Sequence, residues 1–293
     1  MHKFLKAAGF GSLTEKKIYD LIWKNVVRRE YSSGSAALDK ETVIVEYRRK
    51  VNNYIGICAA VVYAGIDYRE LVYYFPYYNS EELSSESECS IERHTAADTY
   101  SGIIDEYSLG ISLIFYINNP LGITKRSDRG NNIKFQGTYL AAFANEGTVI
   151  LPVAEPDNEI YDDTAALSRE ELLEAAFGGD EDAIETLTSS DISMLQELSD
   201  RIEYEDLYSV VEQSFMPCGI ECDQYSIIGE IIEVDEDVNI ITNESLWLLR
   251  VSCNDISFRL CINKNSLIGE PMKGRRIKCR IWMQGRLDMP KQL

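Results

Sequence analysis

Three groupings of residues could carry chemistry. The first is Cys89 and His94 in ECSIERHTAAD, with Glu92 and Asp98 close by. A cysteine nucleophile needs a nearby base to become thiolate, and a carboxylate can orient that base. Glu86 and Glu88 beside the cysteine oppose that ionisation. The alternative role for His94 is a hydrogen-bonded strand residue. No catalytic residue is assigned, and Cys89 and His94 stand only as candidates.

The second grouping is Cys218 and Cys222 in PCGIEC, which offers two thiolates at a zinc-ligand spacing. Structural zinc takes four ligands, usually from two such knuckles. Cys253 and Cys261 would have to complete the set, and strand parity turns Cys253 into a core with Leu249 and Val251. No metal site is assigned, and no cofactor is expected.

The third is the strand-like ending RRIKCRIWMQGRL. Ile277, Cys279, Ile281 and Met283 alternate with Arg276, Lys278, Arg280, Trp282 and Gln284. One face is apolar and the other basic with a tryptophan, and Arg250 and Arg259 could extend the patch. Basic side chains around a stacking ring are what single-stranded nucleic acid uses. The alternative is a solvated face, or one that receives acidic residues of the same chain.

Charge weighs on that choice. The chain has 293 residues and a net charge of −19. Residues 155–224 hold 21 acidic and two basic residues, Arg169 and Arg201, and so carry the whole excess. Such a molecule is repelled from phosphates over about a Debye length, so nucleic acid is disfavoured as a partner and protein is favoured. The composition, 45% hydrophobic and 26% charged, is that of an ordinary globular protein. No run approaches the ~18 apolar residues of a spanning helix. The opening MHKFLKAAGFGSLTEKK has too short an apolar run for a secretory signal. The seven irregularly spaced cysteines do not read as a disulfide framework. A cytoplasmic protein without membrane contact is expected.

The elements that must position these residues are mostly strands. A helix is expected from Thr14, with Ile18, Leu21, Ile22 and Val26 at helical spacing. SSGSAALDK reads as a polar break. ETVIVEYRRKV, YIGICAAVVYA and DYRELVYYFPYY then read as strands, followed by SIERH, LGISLIFYINN, FQGTYLAAFA and TVILPVA. In LVYYFPYYN both faces would be aromatic, and Glu81 and Glu82 follow, so a buried strand is favoured over a stacking platform. Pro76 suggests a sheet edge. The middle segment reads as short acidic helices, one closed by Gly178-Gly179. YSIIGEIIEVD, VNIIT, LWLLRVSC, ISFRLCINK and RRIKCRIWMQGRL read as five strands of a small barrel, with Asn254-Asp255 as a hairpin turn.

MHKFLKAAGF, LGISLIFYINN, EDLYSVVEQSFMPCGIECDQYSIIGEI and CINKNSLIGEPMKGRRIKCRIWMQG are spread over nearly the whole chain. In them the sequence resembles an uncharacterised family of about this length from Gram-positive anaerobic bacteria, a domain of unknown function. The resemblance implies a bacterial cytoplasmic setting, and it brings no activity, ligand or catalytic residue with it.

An α+β architecture is therefore expected. Residues 1–153 would form an antiparallel sheet with packed helices, 154–224 an acidic helical segment, and 225–293 a small β-barrel of the OB or SH3 type. The expected function is that of a non-enzymatic interaction protein with polarised charged surfaces. The alternative is an enzyme or small-ligand binder with a pocket in the tyrosine-rich sheet. GFGSLT does not complete a dinucleotide loop, and no phosphate loop, GxSxG elbow or HExxH motif occurs.

Overall fold

The computed structural model describes residues 2–65, 68–94, 99–106, 109–120, 137–152, 169–189, 192, 211–219 and 222–287. They fall into two units, 1–150 with 213–293, and 151–212.

The first unit is predominantly β. Strands β1 (Ser32–Ala37), β2 (Thr42–Lys50), β3 (Ile55–Ala64) and β4 (Tyr68–Tyr78) form an antiparallel meander in chain order. β4 is an edge of this sheet, which accommodates Pro76 because no neighbouring strand needs its missing N–H. β5 (Cys89–His94), β6 (Thr99–Glu106) and β7 (Ile111–Ile117) form a second meander, joined to the larger sheet through the end of β14.

That larger sheet closes into a five-stranded barrel. β10 (Gln224–Val238), β11 (Ser245–Cys253) and β12 (Ile256–Asn263) run as an antiparallel meander. β14 (Arg276–Leu287) is antiparallel to β10, and β8 (Thr138–Ile150) closes the ring, antiparallel to β14 and parallel to β12. Short β9 (Ser214–Pro217) adds to β10, and β13 (Leu267–Ile268) to β8. Asn254 and Asp255 turn β11 into β12 with φ of 49° and 66°, as a two-residue primed turn requires.

The barrel is apolar inside and, where a second core covers it, outside as well, which explains the near-continuous apolar stretches of its strands. Leu140, Ala142, Leu249, Val251, Leu260, Ile262, Ile281 and Met283 fill the interior. Their neighbours Ala141, Phe143, Leu246, Leu248, Cys261 and Trp282 face outward into a second core. There they meet Phe4, Leu5 and Phe10 of the N-terminal strap, Ile18, Ile22 and Val26, and Ile57, Phe75 and Tyr77 of the first sheet. The predicted helix is α1 (Glu15–Leu21), continued by a π-turn at Ile22–Val26.

Several expectations need correction. VNIIT is not a strand. Asn239 leads a tight turn, its Oδ1 accepting from Ile241 N at 2.9 Å, and Ile240 is 68% exposed. The barrel's fifth strand is instead β8, from the first half of the chain. The described parts of FQGTYLAAFA and TVILPVA are joined in one strand, Thr138–Ile150, because the ladder with β14 resumes at Gly147, opposite Cys279, after an irregularity at Asn145-Glu146. SSGSAALDK contributes β1, whose small residues pair with β2 despite their low strand propensity.

In the second unit, α2 (Arg169–Phe177) ends at Gly179, whose φ is 87°. A further helix covers 181–189, and Asp180 caps it by accepting from the backbone N–H groups of Asp182 and Ala183 at 3.0 and 3.2 Å. The expected helices in SSDISMLQEL and EYEDLYSVV lie, apart from single residues, outside the described residues.

Candidate functional site

The predicted basic patch is divided by the fold. Trp282 is 4% exposed, its ring stacked 5.4 Å from Phe4 and tilted against His2 at 4.6 Å, and its Nε1 donates to Asp223 at 2.7 Å. Arg276 is 4% exposed, Lys278 is half-buried, and Arg280 is exposed. The tryptophan is therefore a core ring beneath the strap and not a surface stacking ring beside the basic side chains. Gln284, placed on the same face by parity, is buried against β4.

Arg250 and Arg259 are cross-strand partners on the outer face of β11 and β12, and Glu233 is the partner of Arg250 on β10. Glu82, from the loop after β4, lies across this ladder. One of its carboxylate oxygens meets Arg250 Nε at 3.1 Å and the other meets Arg259 Nη2. Glu233 meets Arg250 Nη1 at 3.1 Å and Arg259 Nη2 at 3.0 Å. The result is a square of alternating charge, to which Asp235 adds a contact with Arg259 at 3.7 Å. The arginine hydrogen bonds hold the Glu233 carboxyl below its usual range. The acids that neutralise these arginines come from the first segment and from β10.

Beside the square is a small cleft of about 80 Å³, lined by Tyr54, Tyr78, Asn79, Ser80, Glu81, Glu82, Asp235, Leu248 and Arg259. It forms where the strap's cover over the barrel ends: Leu248 is buried, whereas Arg250, one step further along β11, reaches the surface. It is well below the roughly 300–1,000 Å³ of small-ligand sites. Tyr54 stands on the turn before β3, 41% exposed, with its ring 6.4 Å from that of Tyr78. Tyr78 is 2% exposed. Burial raises its phenol pKa, and Cys261, Arg259, Tyr54 and Asp235 are its charged or polar neighbours. Excluding Glu82 and Glu233, which belong to the square, the acidic side chains Glu81 and Asp235 face one committed arginine.

The chain belongs to a family of unknown function. A family model described as a domain of unknown function from E. rectale (DUF3881) matches residues 5–285. No curated protein matches the chain, and no solved structure does. Family membership brings no site residues, so the reading rests on the geometry.

The centre of the tyrosine-rich sheet is filled. Glu46, 2% exposed, accepts from Ser33 Oγ at 2.8 Å and Arg48 Nε at 2.7 Å. Arg48 also stacks over Tyr77 at 4.8 Å and donates to the Asn118 carbonyl. Cys58 beside them is fully buried, which raises its thiol pKa well above the usual range. Burial also pushes the Cys89 thiol up to about 11, away from thiolate at neutral pH. β5 sets Cys89 opposite Ile104 and His94 opposite Thr99. Five residues of strand separate their backbones by about 17 Å, too far for a thiol–imidazole hydrogen bond.

Cys218 follows β9, with its N–H on Gln224 O at 2.9 Å, and Cys222 lies beyond it. Cys253 is inside the barrel and Cys261 on its outer face, so these two do not complete one site. Among the described residues, no group of three or more His, Cys, Asp or Glu is arranged to hold a metal ion. The GFGSLT amides are occupied as well: Glu244 accepts from Gly11 N at 3.2 Å and Ser12 N at 2.8 Å. No helix of the described residues is long and apolar enough to cross a membrane.

Sequence reasoning missed Tyr54, Tyr78 and Asp235 as a group. Glu81 and Glu82 were noticed only as acids following the aromatic run. PYYNSEE carried the usable signal, since aromatic rings are followed there at once by polar and acidic residues.

Proposed function

We propose that this chain is a non-enzymatic interaction module and that the cleft after β4 is where it recognises a protein partner. The observation that carries the reading is the cleft itself. It lies beside a square of ion pairs that holds one wall in place. An interaction site needs a rigid concave surface with a few polar groups, and those residues supply it.

The barrel's pairing order supports a binding role. A three-stranded meander is followed by a strand antiparallel to its first member, and the last strand is parallel to its third. We read this as an OB-type barrel whose fifth strand comes from earlier in the chain. Barrels of that type bind oligonucleotides and oligosaccharides on the face of their second and third strands. Here that face is β11 and β12. The strap covers its Leu246, Leu248 and Cys261, and Glu82 neutralises its arginines. This disfavours nucleic acid and moves recognition to the edge of the cover.

The test is affinity purification of the tagged full chain from its host, with and without nuclease, beside a variant carrying Glu81→Lys and Asp235→Lys. Both positions are exposed, so the variant is expected to fold. Nuclease-resistant companions present with the wild type and absent from the variant support the reading. Companions retained by the variant, or released by nuclease, overturn it.

A further inference from the structure

We infer that the face formed by residues 16–31 with Arg49 and Arg69 is a second docking surface, which takes an acidic polypeptide segment of a protein partner. The inference does not rest on the cleft. In a chain of net charge −19, residues 16–31 hold five basic side chains against two acidic ones, Asp20 and Glu30. Among the described residues, Lys16, Lys17, Lys24, Arg29, Arg49 and Arg69 have no carboxylate within ion-pair distance. Arg28 meets one, Glu30, at 3.9 Å. On the barrel, by contrast, Arg250, Arg259 and Lys264 are each paired. An external carboxylate therefore finds cations on this face that it need not share.

These cations are not loose on a solvated helix. Arg69 lies over the Trp23 ring at 4.9 Å, and Tyr19, 50% exposed, meets Trp23 edge-on at 6.1 Å. Arg49 lies over the Tyr31 ring at 5.5 Å and donates from Nη1 to the Asn25 carbonyl at 3.1 Å. Arg28 donates from Nε to the Lys24 carbonyl at 2.8 Å. Ring contacts and backbone bonds thus hold three guanidinium groups before a ligand arrives, which lowers the ordering cost of binding. Accessible tryptophan, tyrosine and arginine together are the composition of hot spots in protein interfaces.

The same geometry selects among anionic partners. Nucleobases need open ring faces, and Trp23 and Tyr31 each carry a guanidinium over one of theirs. A lipid surface needs a free apolar helix face, but Ile18, Ile22 and Val26 are fully buried in the second core. A carboxylate needs neither. It is taken by the N–H groups that a stacked guanidinium keeps in its own plane. The exposed Tyr19 ring and the half-buried Val27 offer contact to an apolar side chain of the same segment.

The probe is a twelve-residue peptide of alanines with four glutamates and a central leucine, titrated calorimetrically into the full chain at about 50 mM salt. Beside it run the same peptide with glutamines, a twelve-nucleotide single strand of thymidine, and phosphatidylserine-rich vesicles. Lys24→Gln with Arg69→Gln removes two charges from the face, and Lys273→Gln with Arg280→Gln removes two elsewhere. Tyr19→Ala removes a ring without altering charge. All five side chains are exposed, so the variants should keep the wild-type melting temperature.

The glutamate peptide is expected to bind, and the glutamine peptide not to. Its affinity should fall at least fivefold in Lys24→Gln, Arg69→Gln, at least twofold in Tyr19→Ala, and less than twofold in Lys273→Gln, Arg280→Gln. Equal weakening in the two double variants, or no change in Tyr19→Ala, reduces the effect to general attraction and overturns the inference. So does the absence of binding. Tighter binding of the single strand or of the vesicles through Lys24 and Arg69 overturns the polypeptide assignment. The Glu81→Lys, Asp235→Lys variant should bind the glutamate peptide no more weakly than the wild type. Weaker binding there would place the peptide in the cleft and overturn a separate surface.

Discussion

Gln284 takes the place of a neighbouring strand for Pro76. Its Nε2 donates to the Pro76 carbonyl at 2.7 Å, and its Oε1 accepts from the Tyr78 N–H at 3.2 Å. One side-chain amide thus satisfies two backbone groups on the free edge of β4 and ties that edge to the barrel. Asn118 extends the seam by donating from Nδ2 to the Tyr78 carbonyl at 2.9 Å. The backbone of Tyr78 is thereby pinned from both sides, which fixes the ring that lines the cleft.

Removing this amide should be costly. Gln284→Leu keeps much of the volume but leaves a buried N–H and a buried C=O without partners, at roughly 1–3 kcal/mol each. A loss of about 2–5 kcal/mol in urea unfolding is expected, with the exchange of the Tyr78 amide accelerated. A loss below about 0.5 kcal/mol would mean that water reaches this edge and the seam does not hold the sheet to the barrel.

The Phe115 ring is held between two glycines. A Cβ on Gly102 would lie 2.2 Å from Phe115 Cζ, and one on Gly285 would lie 2.3 Å from Phe115 Cδ2. Gly285→Ala is therefore expected to destabilise the first unit by about 2–4 kcal/mol through overpacking. Adding Phe115→Leu should restore part of that loss, although Phe115→Leu alone is destabilising. Strictly additive losses in the double variant would show that the clash is not with this ring.

What could be read in the sequence follows from how local each feature is. β2, β3, β4, β11, β12 and the Asn254-Asp255 hairpin were legible because period-two patterns and primed-turn residues act within a few positions. β1 was not, since Ser32–Ala37 becomes a strand through pairing with β2 and not by its own propensity. Closure of the barrel by β8 depends on Arg259 lying opposite Ala141, a parallel contact across more than a hundred residues that no local signal announces. Trp282 shows the same limit. Alternation correctly separated it from Ile281 and Met283, but at Trp282 the face opposite the barrel interior meets a second core, whereas Arg280 earlier on that face is exposed. The cleft is assembled from five separate stretches around Tyr54, Tyr78, Asp235, Leu248 and Arg259, and only the PYYNSEE stretch carried a hint of it.

The ion-pair square should behave as a coupled unit. Single surface pairs contribute little, but Glu82 bridges two arginines that are also held by Glu233. Glu82→Gln is expected to cost about 1–2 kcal/mol at 50 mM salt and less than half of that at 0.5 M, by urea unfolding. In a double-mutant cycle with Arg250→Gln, the coupling should be about 1 kcal/mol. A cycle that closes to within 0.3 kcal/mol would make the square a set of independent surface contacts.

His2 should give the stability an acid-side slope. Its ring lies 4.6 Å from that of Trp282, tilted by 44°, and burial, with the neighbouring Lys3 charge, lowers its pKa from 6.5 to about 4. Between those values the unfolded chain takes up a proton that the folded chain refuses, so stability falls as pH drops from about 6.5 toward 4. Above 6.5 both states are neutral, and below about 4 both are charged, so the contribution is flat outside the window. Its size is at most roughly 3 kcal/mol, reduced by whatever water reaches the ring. Asp223, which accepts from the Trp282 indole, has its carboxyl raised by burial and contributes with the opposite sign, favouring the fold as the pH falls. The two are separated by His2→Gln. That variant should lose the part of the slope between pH 6.5 and 4 while keeping the Asp223 contribution, when melting temperatures are measured at half-unit pH intervals. Identical profiles for the two proteins would place His2 in water and detach the strap from Trp282.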